Sequence, residues 1–307
     1  MKKTLVPLVL LIASLVYVNK SINLTEYVPS WINQAGVFFV QSITVSDLKT
    51  TYKKAENKRD KVKVLLVAGH EPHYGGTEYG GLKERDLAVD LAEEIKKLLD
   101  KESEYKVVIS RDKEKWNPDL ENYFVKNWET IMPWKDAYQR EMVRLFNTGQ
   151  VKRVTDGVLH NDAPPDVARR LYGINKWVNE NGFDIVIHIH FNDYPRKKLS
   201  SPGAYKGFAI YIPEGQYSNA EATKAVAEKI HARLAKSFSP SNLPKENTGL
   251  VEDQELVAIG RHNTVDAVSL LIEYAYIYEP RLHDPALREK NIKQMALDTY
   301  LGLEDFF

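Results

Sequence analysis

The stretch VKVLLVAGHEPHYGGTEYGGLKERDLAVDLAEEIKKLL, residues 62–99, decides the fold of this chain. It begins with the short apolar run Val62–Val67, which is typical of a buried strand. Gly69-His70 ends the run, a loop rich in Gly and Tyr follows, and Glu84 begins a helix with one apolar face. A second apolar run at 105–109 completes a strand–helix–strand unit, whose two strands pair in parallel.

Two polar residues of this unit reach the same edge of the predicted sheet. His70 follows the first strand and Glu84 begins the next helix. Ligands of α/β proteins collect at this edge, the carboxyl ends of the strands, so the pair is a candidate for two metal ligands. The alternative is structural: His70 caps the strand, and Glu84 stabilises a helix N-terminus through the helix dipole.

The later part of the chain alternates between helix and strand. Helices are predicted at 166–181, 219–238 and 285–301, strands at 183–191, 207–212 and 268–272, and a polar loop at 239–262. This alternation predicts one α/β domain over 61–307. We expect a mixed, largely parallel central sheet flanked by helices on both faces.

Residues 113–165 interrupt the alternation and are treated as an insertion. They show no strand pattern, although 134–147 fits a helix. Their aromatic residues suit a lid that faces carbohydrate or peptide and gates the site, or a satellite core. These residues are Trp116, Tyr123, Phe124, Trp128, Trp134, Tyr138 and Phe146.

The first 20 residues carry a membrane-targeting pattern. Two lysines precede an apolar run from Leu5 to Val18, which indicates a signal anchor or a signal peptide. The run is short for a span of roughly 17–25 residues, but no small-x-small cleavage site follows it, which favours an anchor. Residues 21–60 are then a juxtamembrane linker, with a short helix predicted from Ser46. The positive-inside rule places the remainder beyond the cytoplasmic membrane, as an anchored or secreted envelope protein.

Composition narrows the classes of function. The chain has 307 residues, of which 43% are hydrophobic and 27% charged, as in globular proteins. Its formal net charge is zero and no basic stripe occurs, so a nucleic-acid partner is not expected. The absence of cysteine excludes thiolate metal sites and cysteine nucleophiles. Any metal must therefore be held by histidine and carboxylate side chains.

Polar residues recur where further apolar strands end. FDIVIHIHF, residues 183–191, alternates with a period of two, so His188 and His190 share a face. The run at 268–272 ends at Glu273, whose alternative interpretation is a buried carboxylate paired with an arginine. Two histidines and one carboxylate leave a fourth zinc position for water, as in catalytic sites. Zinc lowers the pKa of that water to about 7, and a second carboxylate can take up its proton.

These motifs together resemble the zinc-dependent N-acetylmuramoyl-L-alanine amidases. The resemblance covers about 60–307 apart from 113–165, and it rests on VAGH (67–70), Glu84, HIHFN (188–192) and LLIE (270–273). It implies a mixed sheet flanked by helices and cleavage of the amide between the muramic acid lactyl group and L-alanine in peptidoglycan. By position, it implies that His70, Glu84 and His190 are the zinc ligands and that Glu273 is the general base.

Some neighbouring residues depart from the family pattern. The family usually has Asp where this chain has Val67, and Ser where it has His188; the family has a Gly-rich stretch after its Gly-His, and here Glu71, Pro72 and His73 intervene. These departures bear on substrate fit more than on metal binding. His188, Asn192 and His73 are candidates for contacts behind the metal or with substrate.

Two other functions remain open from the sequence. One is a zinc peptidase that cuts the stem peptides of peptidoglycan, since both reactions use zinc and water to attack an amide. The other is a catalytically silent wall-binding or regulatory protein on the same fold. The sequence identifies no activating partner.

Overall fold

A six-stranded mixed sheet forms the centre of the computed structural model, which describes residues 42–56, 60–154, 157–158, 162–194 and 196–307. The strands are β1 (Val62–Ala68), β2 (Glu78–Tyr79), β3 (Leu82–Lys83), β4 (Tyr105–Ile109), β5 (Ile185–Asn192), β6 (Ala209–Pro213), β7 (Leu250–Asp253) and β8 (Val268–Tyr276). Their order is β4-β1-β5-β8-β6-β7, with β2 and β3 as a separate pair. Strands β4, β1, β5 and β8 run parallel to one another, whereas β6 is antiparallel to β8. The predicted mixed, largely parallel sheet is confirmed.

Helices cover both faces of the sheet. They are α1 (Val45–Glu56), α2 (Glu84–Leu99), α3 (Pro118–Asn147), α4 (Pro165–Asn181), α5 (Ala220–Ser237), α6 (Pro280–His283) and α7 (Pro285–Phe306). Apolar residues of α2, α5 and α7 pack with one face of the strands, and those of α3 and α4 pack with the other. The alternation of side chains along β5 sends Ile187 and Ile189 to the first face, so His188 and His190 lie on the second.

Strand β8 is longer than the sequence predicts. The prediction ends it at Glu273, but it continues to Tyr276. A register shift between His190 and Asn192 lets Asn192 pair with Tyr276, so the β5–β8 ladder continues past an irregularity. Glu273 therefore lies inside a strand, directly opposite His190 in the register.

The polar stretch 239–262 is not a simple loop, and that prediction is wrong. It contains β7 and a 3-10 turn at Val257–Ile259, and a second such turn follows at Arg261–Asn263. Strand β7 has four residues at the edge of the sheet, and two of them, Val251 and Asp253, are buried. A run of four residues gives almost no periodic signal, which is why this strand could not be predicted from the sequence.

The insertion forms a helix that begins well before the predicted residue 134. Helix α3 begins at Pro118, where the side chain of Asn117 accepts a hydrogen bond from the Asp119 amide at 3.0 Å. Leu120, Phe124 and Ile131 are buried along it. These residues anchor the first half of α3 to the body of the domain.

The described part of the chain begins just before α1. Leu48 and Ala55 of α1 are buried, and Tyr52 stacks on Phe307 with 4.3 Å between ring centroids. Residues 45–56 thus pack on the domain, although the sequence places them in the linker. The predicted anchor at 1–20 lies outside the described residues. Within the ranges that the structure covers, no helix is long and apolar enough to cross a membrane.

Candidate metal centre and cleft

Three side chains from separate elements meet at the carboxyl edge of the sheet. His70 follows β1, Glu84 is the first residue of α2, and His190 lies near the end of β5. Their ligand atoms all lie within 4.8 Å of one another. Oε1 of Glu84 is 2.8 Å from Nε2 of His70 and 2.9 Å from Nδ1 of His190. The structure thus brings together the three residues that the resemblance implies as ligands.

Backbone amides hold the Glu84 carboxylate in place. Thr77 donates to Oε2 at 2.9 Å, and Phe191 donates to Oε1 at 3.2 Å. Burial alone would raise the pKa of Glu84, but the adjacent His70 and His190 lower it well below its usual range. Glu84 is therefore an ionised carboxylate in a buried position, which is what a metal ligand must be.

The ring of His190 has the protonation state that a metal ligand requires. Burial lowers the pKa of His190, and the hydrogen bond with Glu84 offsets part of that effect, so the ring is neutral near pH 7. Nε2 of His70 is buried and close to Oε1 of Glu84, yet the pair lacks hydrogen-bond geometry. A buried ring nitrogen without a hydrogen bond, close to a carboxylate oxygen, fits a pair of ligands for one cation.

Two glycines leave the space that the imidazoles occupy. A Cβ at Gly69 would lie 2.5 Å from Cε1 of His190. A Cβ at Gly76 would lie 2.8 Å from Cδ2 of His70 and 3.2 Å from Oε2 of Glu84. The Gly-rich loop therefore has a steric role, because it lets the rings approach the backbone.

Glu273 stands beside this cluster, and no partner for its side chain is found among the described residues. Its Oε2 is buried and accepts no hydrogen bond, and no arginine of the described ranges forms an ion pair with it. The arginine-paired alternative therefore has no support in the described residues. Burial raises the pKa of Glu273 well above its usual range, and the charges of Glu84 and Glu246 add to the effect.

The other predicted residues occupy three different positions. His188 is buried behind His190, and burial lowers its pKa to about 3, so it is neutral. Asn192 donates to Oε1 of Glu246 at 3.1 Å and lines the cleft. His73 is exposed on the loop and lines neither of the cavities described next.

Two cavities meet at the cluster and together form a cleft. The first, of about 790 Å³, is lined by residues that include Tyr74, Trp116 and Arg170. The second, of about 1010 Å³, is lined by residues that include Asn192, Tyr194 and Tyr205. His70, His190 and Glu273 line both cavities. A long molecule can therefore extend from the cluster in two directions.

The aromatic insertion contributes to both the cleft and the core. Trp116 lines the first cavity. Tyr123, Phe124, Trp128 and Trp134 instead pack in the apolar cluster between α3, α4 and the sheet. For these four residues the satellite core is the better of the two interpretations. The lid hypothesis then applies only to the region around Trp116.

Glu246 is a residue of the cleft that sequence reasoning missed. It is 1% exposed and accepts hydrogen bonds from the hydroxyls of Tyr211 and Tyr276 at 2.6 and 2.9 Å, besides the bond from Asn192. These donors come from β6, β8 and β5. A single Glu in a polar stretch gives no sequence signal of such a network, which only the assembled sheet creates.

The fold and the cluster define a class: an α/β protein with a His–Glu–His candidate metal centre at the carboxyl edge of a largely parallel sheet. Comparison with protein families narrows this class. The family model described as N-acetylmuramoyl-L-alanine amidase (Amidase_3) matches residues 64–305. The chain belongs to this family, and it is a hydrolase of the class that acts on cell-wall peptidoglycan.

Solved structures of amidases share the fold at low sequence identity. The apo form of Ami1 from Mycobacterium abscessus is 14% identical, with a TM-score of 0.51, and the match covers 80% of this chain and 97% of that one. An amidase from Clostridium difficile 630 is 16% identical, with a TM-score of 0.50, and the match covers 81% and 97%. CwlD from Clostridioides difficile, in complex with the GerS lipoprotein, is 13% identical, with a TM-score of 0.50 and 80% and 98% coverage. A search of curated proteins gives no significant match.

Proposed function

We propose that this chain is a zinc-dependent amidase that cleaves the bond between the muramic acid lactyl group and L-alanine. The observation that carries the proposal is the convergence of His70, Glu84 and His190 beside Glu273, whose buried Oε2 has no hydrogen-bond partner among the described residues, in a chain of the amidase family. Family membership supports the substrate class. The proposal adds the metal, its ligands and the general base.

The donor set fits zinc. Two histidine side chains and one carboxylate are typical zinc ligands, and three protein ligands leave a position open in a catalytic site. His70, Glu84 and His190 would hold the ion. When bound, zinc polarises the scissile carbonyl and lowers the pKa of water.

Glu273 is proposed as the group that moves the proton. Its carboxylate accepts a proton from the attacking water and then donates it to the leaving nitrogen of L-alanine. The direction of the pKa shift of Glu273 supports the role, because a carboxyl whose pKa is raised takes up and holds a proton more readily than an ordinary one. Its position opposite His190 in the β5–β8 register supports a place beside the amide that would react.

Two other functions remain distinguishable from the proposed one. A zinc peptidase would use the same ligands but would release fragments of the stem peptide. A silent wall-binding protein predicts the loss of a ligand or of the base, and all four residues are present. The identity of the product therefore distinguishes an amidase from a peptidase. Any turnover of peptidoglycan distinguishes both from a silent wall-binding protein.

The site of action is proposed to be the cell envelope outside the cytoplasm, because peptidoglycan lies there. Residues 1–20 are proposed to anchor the chain in the cytoplasmic membrane or to direct its secretion. Membrane and soluble fractions of cells that produce the full chain should distinguish the two. A protein partner is a further candidate, since the solved relative CwlD is in complex with a lipoprotein.

The test compares the unmodified chain with Glu273→Gln for metal content and for products from purified peptidoglycan. We expect one zinc per chain in both, and products with free lactyl ends from the unmodified chain. The rate of the variant should fall by about 10²- to 10⁴-fold. Split stem peptides would indicate a peptidase. A folded protein that binds no metal would refute the proposal.

A further inference from the structure

Arg111 is a buried cation that the proposed chemistry leaves unused. It follows β4 by two residues and is 2% exposed. Among the described residues, no carboxylate forms an ion pair with it. Burial lowers its pKa to about 10, so the guanidinium is still charged at neutral pH.

Within the described residues, backbone carbonyls accept all the hydrogen bonds that this guanidinium donates. Nε donates to the carbonyls of Ala68 and His70 at 3.1 and 2.8 Å. Nη2 donates to the carbonyl of Gly69 and, at 3.0 Å, to that of Arg85. Nη1 donates to the carbonyl of Asp112 at 3.0 Å.

These carbonyls belong to the two segments that carry candidate metal ligands. Ala68 is the last residue of β1, Gly69 and His70 follow it directly, and Arg85 follows Glu84 in the first turn of α2. The amide of Ala68 also donates a hydrogen bond, at 3.1 Å, to the hydroxyl oxygen of Ser110, the residue before Arg111. Ser110 and Arg111, directly after β4, are therefore hydrogen-bonded to the backbone of both segments that carry candidate metal ligands.

The backbone of His70 requires such support. Its φ is 67°, in the left-handed region that side chains other than glycine rarely adopt. Strained residues of this kind persist where surrounding contacts hold them. The bond from Arg111 to the carbonyl of His70 is a contact of this kind.

We propose that Arg111 is a positioning residue of the metal centre, which fixes the backbones of His70 and Arg85 so that His70 and Glu84 converge before the metal binds. The inference rests on the proposed function, because it presumes that these residues hold a metal. Only the planar five-donor fork of arginine can reach carbonyls on both segments at once; lysine has the charge but a single donor atom.

The test measures Zn²⁺ affinity of the metal-free full chain by competition with a chromophoric chelator. The variants are Arg111→Lys and a matched control, Asn219→Ala. Asn219 is also buried and donates to a backbone carbonyl, that of Ala267 at 2.8 Å, but at the opposite edge of the sheet. We expect Arg111→Lys to bind Zn²⁺ about 10- to 100-fold more weakly, with the control unchanged. The Co²⁺ absorption spectrum should change in Arg111→Lys alone.

Hydrogen exchange of residues 66–76 in the metal-free chain gives a readout that needs no metal. Faster exchange there in Arg111→Lys, and not in Asn219→Ala, supports the inference. If Arg111→Lys does not fold, Ser110→Ala loosens the same junction by one bond and should weaken Zn²⁺ binding in the same direction. Unchanged affinity in the folded Arg111 variant, or in Ser110→Ala when it alone folds, would overturn the inference. Failure of the unmodified chain to bind Zn²⁺ would instead overturn the proposed function, and the inference with it.

Discussion

Replacing Gly69 with alanine tests whether the metal centre depends on the close approach of the His190 ring to the backbone. The new Cβ would lie 2.5, 2.6 and 2.8 Å from Cε1, Nε2 and Nδ1 of that ring. Ordinary contact begins at 3.4 Å, so the ring must retreat by about 0.9 Å (3.4 − 2.5). Gly69 does not have a positive φ, so the alanine backbone itself is tolerated and the effect is steric.

The ring of His190 has little room for this retreat. Its Nδ1 is bonded to Glu84, and the ring of His70 lies 4.9 Å away between centroids. We therefore expect Gly69→Ala to weaken Zn²⁺ binding by at least about tenfold. Overpacking should also lower the free energy of unfolding by about 1–3 kcal/mol. Chelator competition measures the affinity, and denaturant unfolding measures the stability.

Gly215→Ala is the matched control, because its new Cβ would meet only Oε2 of Glu252 at 3.7 Å, which is ordinary contact. It should bind Zn²⁺ as the unmodified chain does. A Gly69→Ala chain with unaltered affinity and stability would refute the reasoning, since it would mean that His190 has free space on this side.

Three further predictions concern pH, metal removal and the insertion. Burial raises the pKa of Asp266 to about 6, so the unfolded carboxyl loses its proton first as the pH rises. Asp266 should therefore lower stability between about pH 4 and pH 6, by at most about 3 kcal/mol, and Asp266→Asn should remove this part of the slope in unfolding curves. Chelation should lower the Tm, and Zn²⁺ at about 100 times its Kd should restore about 2.7 kcal/mol, as calorimetry can measure. Phe124→Ala should cost about 3–5 kcal/mol of stability while the folded fraction keeps its activity on peptidoglycan, whereas a lid function would lower activity.

The sequence predicts best the features that lie within one segment. The apolar run before His70 and the period of two that pairs His188 with His190 are local patterns, and the structure has both. Glu84 is at the head of its helix because the loop before it ends there. These patterns are sufficient to bring the three candidate ligands to one edge of the sheet.

The features that could not be predicted from the sequence depend on contacts between residues that are distant in the chain. Glu246 gains its role only when β5, β6 and β8 place Asn192, Tyr211 and Tyr276 around it. The extension of β8 beyond Glu273 depends on a register shift in a neighbouring strand. Helix α3 extends toward the N-terminus because α4 and the sheet bury its first half, which no local pattern records.

The meeting of two cavities at one cluster has a consequence for how turnover ends. If the proposed substrate spans both cavities, its sugar fragment and its peptide fragment would lie in separate arms of the cleft once the amide is cut. Neither must pass the other in order to leave, so each dissociates at its own rate. Added sugar and added peptide should then inhibit the enzyme independently, and the slower of the two departures sets the rate at which the next strand of wall can enter.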